Sequence, residues 1–153
     1  FEVSIVTQNV DDLHERGGST QVLHLHGELR KARSEEDESL VVDVGSESIA
    51  MGDLAEDGAQ LRPHVVWFGE MVPMMEPAAI EVSKADVLVV VGTSLVVYPA
   101  ASLIDYADAG IPKFIIDPSD PQLWDREGWT HFKENAGTGV NKLAEKLKNE
   151  YLQ

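Results

Sequence analysis

The order of apolar and polar positions predicts strands and helices in alternation. Residues 3–7 and 22–25 are short β-branched or apolar runs, 86–91 (DVLVVV) is a nearly continuous one, and 113–116 follows as another, so each is predicted as a strand. The 86–91 run lacks polar alternation, which predicts a strand of a parallel sheet covered on both faces. Helical spacing falls between these runs. Residues 77–85 carry Ala78 and Val82 on one face, 99–109 open on Pro99, and 140–151 bring Val140, Leu143, Leu147 and Tyr151 into step. Strand and helix in turn predict an α/β fold built on a parallel sheet with right-handed crossovers.

Residues 30–62 break this rhythm. They hold the acidic run Glu35, Glu36, Asp37 and Glu38, a short apolar run over 40–44, and turn-forming Gly45, Gly52 and Gly58, a pattern that predicts a small antiparallel insertion projecting from the sheet. The acidic run reads as a solvated loop. Neither an internal repeat nor a low-complexity segment is present.

At 153 residues with 43% hydrophobic content, the chain has the size of one compact domain. The 27 acids against 12 bases give a net charge of −15, which disfavours a nucleic-acid partner and favours basic, lysine-rich segments, unless it serves solubility alone. With no cysteine, disulfides, thiolate nucleophiles and sulfur-based zinc sites are excluded, so any metal would fall to the five histidines and the acids. No apolar run approaches the ~18 residues of a membrane span and no basic start leads into one, which predicts a soluble cytoplasmic protein with no membrane partner. The chain opens on Phe1 and Glu2 and runs directly into apolar alternation, as if the numbering began inside a domain.

Certain clusters carry candidate chemistry. The first, TQNVDDLH over 7–14, lies where a strand is predicted to end and a helix to begin; Gln8, Asn9 and Asp11 there could bind a ribose and a carboxamide, or cap the helix. In VLHLHGEL over 22–29, His24 and His26 share one side of a strand, which suits either a metal pair or plain structural histidines. Gly27 is expected to end that strand and let a ligand approach His26, a candidate general base near neutral pH. The run LRPHVVWFGE over 61–70 is either a buried strand or an edge that pairs with an incoming peptide, its aromatics walling an apolar channel. Finally, VGTSLVVYPAA over 91–101 takes a buried strand into Gly92, Thr93 and Ser94, suited to a ribose or phosphate or to a helix cap; no G-x-G-x-x-G is present.

In this order and spacing, TQNVDDLH, HLHGEL, LRPHVVWFGE and GTSLVVYPAA resemble the sirtuin family from Thr7 to the last helix. The resemblance implies a Rossmann-type domain formed by residues 1–29 and 63–153, with 30–62 as the counterpart of the family's inserted zinc module. It also implies NAD-dependent deacylation of protein lysines, releasing nicotinamide and O-acyl-ADP-ribose. His26 would take a proton from a ribose hydroxyl, and Gln8, Asn9 and Asp11 would border the nicotinamide-ribose pocket. Val66, Trp67, Phe68, Gly69 and Glu70, with Val97, would receive the acyl-lysine peptide, while Gly92, Thr93 and Ser94 would hold the cofactor's ribose and phosphate.

Departures from the family pattern bear on this expectation. The family's opening glycine-rich segment does not occur, so the chain is expected to be a fragment or half of a split enzyme, working with the missing segment or a partner chain. The alternative function is a non-catalytic NAD or ADP-ribose binding module. Arg33 and Ser34 stand where the first zinc cysteines would open, so zinc is expected to be absent and packing of Leu40, Val42 and Val44 or neighbouring loops to stabilise the insertion. Asp117 stands where many sirtuins have an asparagine at the adenosine ribose, and an aspartate can accept from ribose hydroxyls. Gly137, before the final helix, would lie near the adenine.

Overall fold

The computed structural model describes residues 1–121 and 127–152. The chain divides into two compact units, Phe1–Ala78 and Ala79–Gln153.

In the first unit, β1 (Ile5–Thr7) and β2 (Val22–His24) form a parallel pair, with Ile5 beside Val22 and Thr7 beside His24. The short helix α1 (Leu13–Arg16) lies between them in sequence. It starts where the Asp11 carboxylate accepts the Leu13 N–H at 3.1 Å and stops at Gly17 and Gly18, the latter at φ 97°. The predicted insertion is a three-stranded antiparallel sheet in the order β4-β3-β5, from β3 (Gly27–Ser34), β4 (Val41–Asp43) and β5 (Leu61–Val65).

Of the two ways expected to stabilise the insertion, the neighbouring loops contribute more visibly than packing of the 40–44 run. Val42 is 43% exposed and the whole of β4 faces solvent, while Leu40 and Val44 on either side of it are partly buried. Its buried positions are Ala32, Arg33 and Ser34 at the end of β3. The Ser34 hydroxyl donates to Asp57 at 2.6 Å and accepts the Glu36 and Asp37 N–H groups at 3.0 and 3.1 Å, tying the acidic loop to the loop before β5. The buried Ser34 hydroxyl thus has a partner for its hydrogen and for its oxygen, as a buried polar group requires.

Helix α2 (Met75–Ser83) follows, with Ala78 and Val82 buried as its period predicts. In the second unit, β6 (Leu88–Val91), β7 (Lys113–Ile116) and β8 (Trp129–Phe132) form a parallel sheet in that order. The strand covered on both faces is β7 rather than β6. Phe114 and Ile116 pack with Leu143 on one face, and Ile115 packs with Val90, Leu95 and Ala101 on the other. Val89 and Val91, by contrast, are 37% and 40% exposed while Val90 between them is buried, so only one face of β6 is covered.

A 3-10 helix over Ala100–Tyr106 takes the place of the longer helix predicted after Pro99. The final helix, α3 (Ala136–Tyr151), begins a turn earlier than its apolar period. Its inward stripe is the buried Gly139 and Leu143 with the partly buried Leu147, whereas Val140 and Tyr151 are exposed. A Cβ on Gly139 would stand 2.4 Å from the Ile116 Cγ2, so the glycine lets α3 approach β7 closely. The α/β class with parallel strands and a small antiparallel sheet is thus as the sequence predicts; β8, with polar Thr130 and His131 between two aromatics, was not foreseen.

Candidate active site

The carboxyl ends of parallel strands are where α/β proteins bind ligands, because the diverging loops leave a crevice there. In the first unit, the loop after β1 carries Gln8, Asn9 and Asp11, and the loop after β2 carries His26. Cross-links fix the two loops together: the Leu25 N–H donates to the Thr7 carbonyl at 2.9 Å, and the Leu29 N–H to the Val10 carbonyl at 2.8 Å.

His26 is held by ring and backbone. Its carbonyl accepts the Val66 N–H at 2.9 Å, and its Nδ1 lies 3.2 Å from the Gln8 carbonyl oxygen. A carbonyl can only accept, so Nδ1 carries the hydrogen and the neutral ring presents a lone pair at Nε2. That nitrogen meets no protein partner among the described residues, and the side chain is half-buried. The side-chain amides of Gln8 and Asn9 are likewise without internal partners there, whereas Asp11 spends one oxygen on the start of α1.

Gly27 does not serve the role expected for it. It opens β3 rather than ending β2, and at φ 82° a Cβ there would fall 2.0 Å from the His64 carbonyl oxygen. The space above Gly27 is taken by the β5 backbone, not left for a ligand. The histidines also do not act as a pair. His24 is bonded through Nε2 to the Glu15 carboxylate at 2.8 Å and through Nδ1 to the Asn9 carbonyl at 3.1 Å. Burial opposes charge on this ring, but the Glu15 carboxylate and the Asn9 carbonyl outweigh it and raise its pKa, and through these two bonds His24 braces the Asn9 loop.

The 61–70 run divides in two. Its first half is β5, paired with β3, and its second half leaves the sheet as a turn. The Glu70 N–H donates to the Trp67 carbonyl at 3.0 Å, the Trp67 N–H donates to Glu70 Oε2 at 2.9 Å, and Gly69 takes φ 93° between them. Trp67 and Phe68 stand at the surface, Phe68 fully exposed, and wall no channel within this unit. The Phe68 and Gly69 peptide groups have no backbone partner among the described residues. Glu70 is far from free: Arg62 reaches its two oxygens at 2.7 and 3.4 Å, and Arg33 reaches Oε2 at 3.3 Å. The hydrogen bond from Arg62 and that from the Trp67 amide hold the Glu70 carboxyl below its ordinary pKa. This clamp was not foreseen, though a signal for it lay in the motif itself, with an arginine and a glutamate at its two ends.

In the second unit the candidate residues gather along one edge of one sheet. Gly92, Thr93 and Ser94 follow β6, Asp117 follows β7, and Gly137, expected before the final helix, is instead the second residue of α3, which follows β8 in the chain. The Gly92 N–H donates to the Ile116 carbonyl at 2.9 Å, so the β6 and β7 ends are in contact. Gly92 at φ 61° and Leu95 at φ 56° bend the chain sharply, a conformation that costs a leucine about 1–2 kcal/mol and is offset here by burial of its side chain in the core. Thr93 spends its Oγ1 on the Leu95 N–H at 3.3 Å, while Ser94 is exposed. A Cβ on Gly92 or Gly137 would meet nothing within 4 Å. Asp117 is nearly buried; Oδ1 accepts both the hydroxyl and the N–H of Ser119, at 2.6 and 2.8 Å, and these bonds depress its pKa. Val97 is exposed, with its carbonyl committed to the Ala101 N–H.

Among the described residues no group of three or more His, Asp or Glu side chains is placed to hold a metal ion, and no helix is long and apolar enough to cross a membrane.

The class these features define is an α/β protein whose open polar groups follow the carboxyl ends of parallel strands. The chain belongs to the Sir2 family, whose model matches residues 2–99. It is 46% identical over 147 residues to an NAD-dependent protein deacylase of Helicobacter pylori strain J99, covering 96% of this chain and 62% of that protein. A protein of the same description from Bacteroides thetaiotaomicron is 44% identical over 152 residues, covering 96% and 65%. Among solved structures, a Sir2 homologue in complex with NAD superposes with a TM-score of 0.82 at 37% identity, covering 97% of this chain and 59% of that one. A Sir2 protein bound to an acetylated peptide gives 0.75 at 28%, covering 97% and 63%. The chain therefore spans a little under two thirds of the length of these relatives.

Proposed function

We propose that the whole protein is an NAD-dependent deacylase of protein lysines, with residues 1–29 and 63–153 forming its cofactor-binding domain and 30–62 an insertion that needs no zinc. The observation that carries the proposal is the His26 ring, whose Nδ1 hydrogen is committed to the Gln8 carbonyl so that Nε2 is left as a base. Each unit offers open groups that support cofactor binding: in the second, Gly92 and Gly137 leave open space where a side chain would stand and Ser94 is exposed, and in the first, the Gln8 and Asn9 amides have no internal partner among the described residues. When bound, NAD supplies a nicotinamide-ribose bond whose cleavage lets the sugar accept the acyl oxygen of a modified lysine.

This chain's residues then have separate tasks. His26 Nε2 takes the proton from a ribose hydroxyl, which makes that oxygen a nucleophile, while the Gln8 carbonyl stabilises the imidazolium that forms. Gln8, Asn9 and Asp11 orient the nicotinamide end. Gly92, Thr93, Ser94 and Asp117 hold ribose and phosphate, with the second Asp117 oxygen as acceptor for a ribose hydroxyl, and Gly137 lies beside the adenine. Val66, Trp67, Phe68, Gly69, Glu70 and Val97 receive the acylated peptide, the unpaired peptide groups of Phe68 and Gly69 supplying strand-like hydrogen bonds. The relatives named NAD-dependent protein deacylase, and the Sir2 structures with NAD and with acetylated peptide, support this reading. A cytoplasmic setting follows as part of the proposal, since NAD and acylated proteins meet there.

The test is deacylation of an acetyl-lysine peptide by the whole protein with NAD. His26→Ala is expected to lower kcat by about 100-fold or more with ADP-ribose binding unchanged. Equal turnover in both proteins would remove the assigned base, and ADP-ribose binding without turnover by the wild type would favour a binding module.

A further inference from the structure

The ion cluster around Glu70 joins the antiparallel insertion to the turn proposed to receive the peptide. Arg33 lies on β3 with its side chain only 5% exposed, and its guanidinium touches Glu70 at 3.3 Å and Glu38 of the acidic loop at 3.4 Å. Arg62, on the facing strand β5, forks onto both Glu70 oxygens and also donates to the Val65 carbonyl at 3.1 Å. From the middle of this cluster Glu70 Oε2 accepts the Trp67 N–H, which closes the turn. All of these groups lie within the first compact unit.

We infer that Glu70 is a positioning residue for the acylated peptide: gripped by Arg33 and Arg62, it sets the Trp67–Glu70 turn so that the Phe68 and Gly69 peptide groups stay presented to substrate. The physical case rests on competition for one carboxylate. A turn with two exposed aromatics and a glycine at positive φ has few contacts of its own to keep it in shape. Its closure depends on an acceptor at Trp67, and that acceptor is immobile only because two guanidiniums, one of them buried, hold it by charge-assisted bonds. The insertion thereby becomes part of substrate binding although none of its side chains need touch the peptide.

The inference rests on the deacylase reading, and its test separates the two. In the whole protein at saturating NAD, Glu70→Gln keeps side-chain volume but removes the charge that both arginines need. The KM for an acetyl-lysine peptide is expected to rise about tenfold, with kcat and the KM for NAD changed less than about twofold, and amide exchange at Trp67 to accelerate about tenfold. Arg62→Lys, which retains charge but loses the fork, is expected to raise the peptide KM about threefold and serves if Glu70→Gln does not fold. An active wild type whose variants keep the peptide KM, or lose kcat and NAD binding to the same extent, overturns the positioning role. A wild type with no NAD-dependent deacylation overturns the functional reading and the peptide coupling with it, recognisable because Trp67 exchange still accelerates in Glu70→Gln.

Discussion

Replacing Gly27 by alanine tests whether the backbone beside His26 is set by contact with β5. Gly27 sits at φ 82°, where an L-residue costs about 1–2 kcal/mol. A Cβ there would also lie 2.0 Å from the His64 carbonyl oxygen and 3.1 Å from the Val65 Cα, so β3 and β5 must separate locally by roughly 1 Å. Separation weakens the Gly27–Val65 pairing and the Val66 N–H bond to the His26 carbonyl, about 1 kcal/mol each. Alanine returns up to about 1 kcal/mol by restricting the unfolded chain, so the net loss is about 2–4 kcal/mol. In urea, with m near 2 kcal/mol/M, the midpoint falls by about 1–2 M. The control is Gly58→Ala, at the same φ of 82° but with nothing within 4 Å of the added carbon. It isolates the dihedral cost and is expected to lose about 0–2 kcal/mol, and less than Gly27→Ala by the steric and hydrogen-bond losses. Equal losses at the two glycines, or less than about 1 kcal/mol at Gly27, would refute the steric argument.

Ser34→Ala removes the hydroxyl that joins Asp57 to the Glu36 and Asp37 amides, and a loss of about 2–3 kcal/mol in unfolding free energy is expected; a loss under about 0.5 would return stabilisation of the insertion to apolar packing. Gly139→Ala forces α3 away from Ile116 and is expected to cost about 1–3 kcal/mol, read as a lower Tm in calorimetry, whereas an unchanged Tm would show that the Ile116 side chain yields freely. The His24 and Glu15 pair gives a pH dependence with a definite sign. The raised His24 pKa makes its contribution complete below the ordinary value of 6.5 and lost as pH rises through the raised one. Glu15, depressed chiefly by its bond to His24, contributes above its ordinary 4.5 and loses that contribution as pH falls. The stability gap between wild type and His24→Gln, measured in urea, is therefore widest between pH 4.5 and 6.5 and narrows in alkali; a gap that does not vary with pH would refute the pairing.

Much of this protein was legible in the order of its residues. The runs at 22–25, 86–91 and 113–116 gave strands within a residue or two, because β-branched side chains in short bounded runs have few other ways to be buried. The motif series was enough to indicate the family, and the roles it suggests for Gln8, Asn9, His26, Gly92 and Ser94 belong to the proposed function. Residue type and chain order are local facts, and a ligand loop after a strand is a local event.

Tertiary structure decided what depended on neighbours far along the chain. Sequence could not say that β7 rather than β6 is covered on both faces, since both are apolar and the cover comes from Leu95, Ala101 and Leu143, distant in the chain from β7. Nor could it tell that the space over Gly27 is filled by the His64 carbonyl, or that Glu70 is held by arginines 8 and 37 residues away. The lone pair on His26 Nε2 is of the same kind: which ring nitrogen keeps the proton is set by the Gln8 carbonyl, 18 residues earlier, through a bond that exists only once β1 and β2 lie side by side.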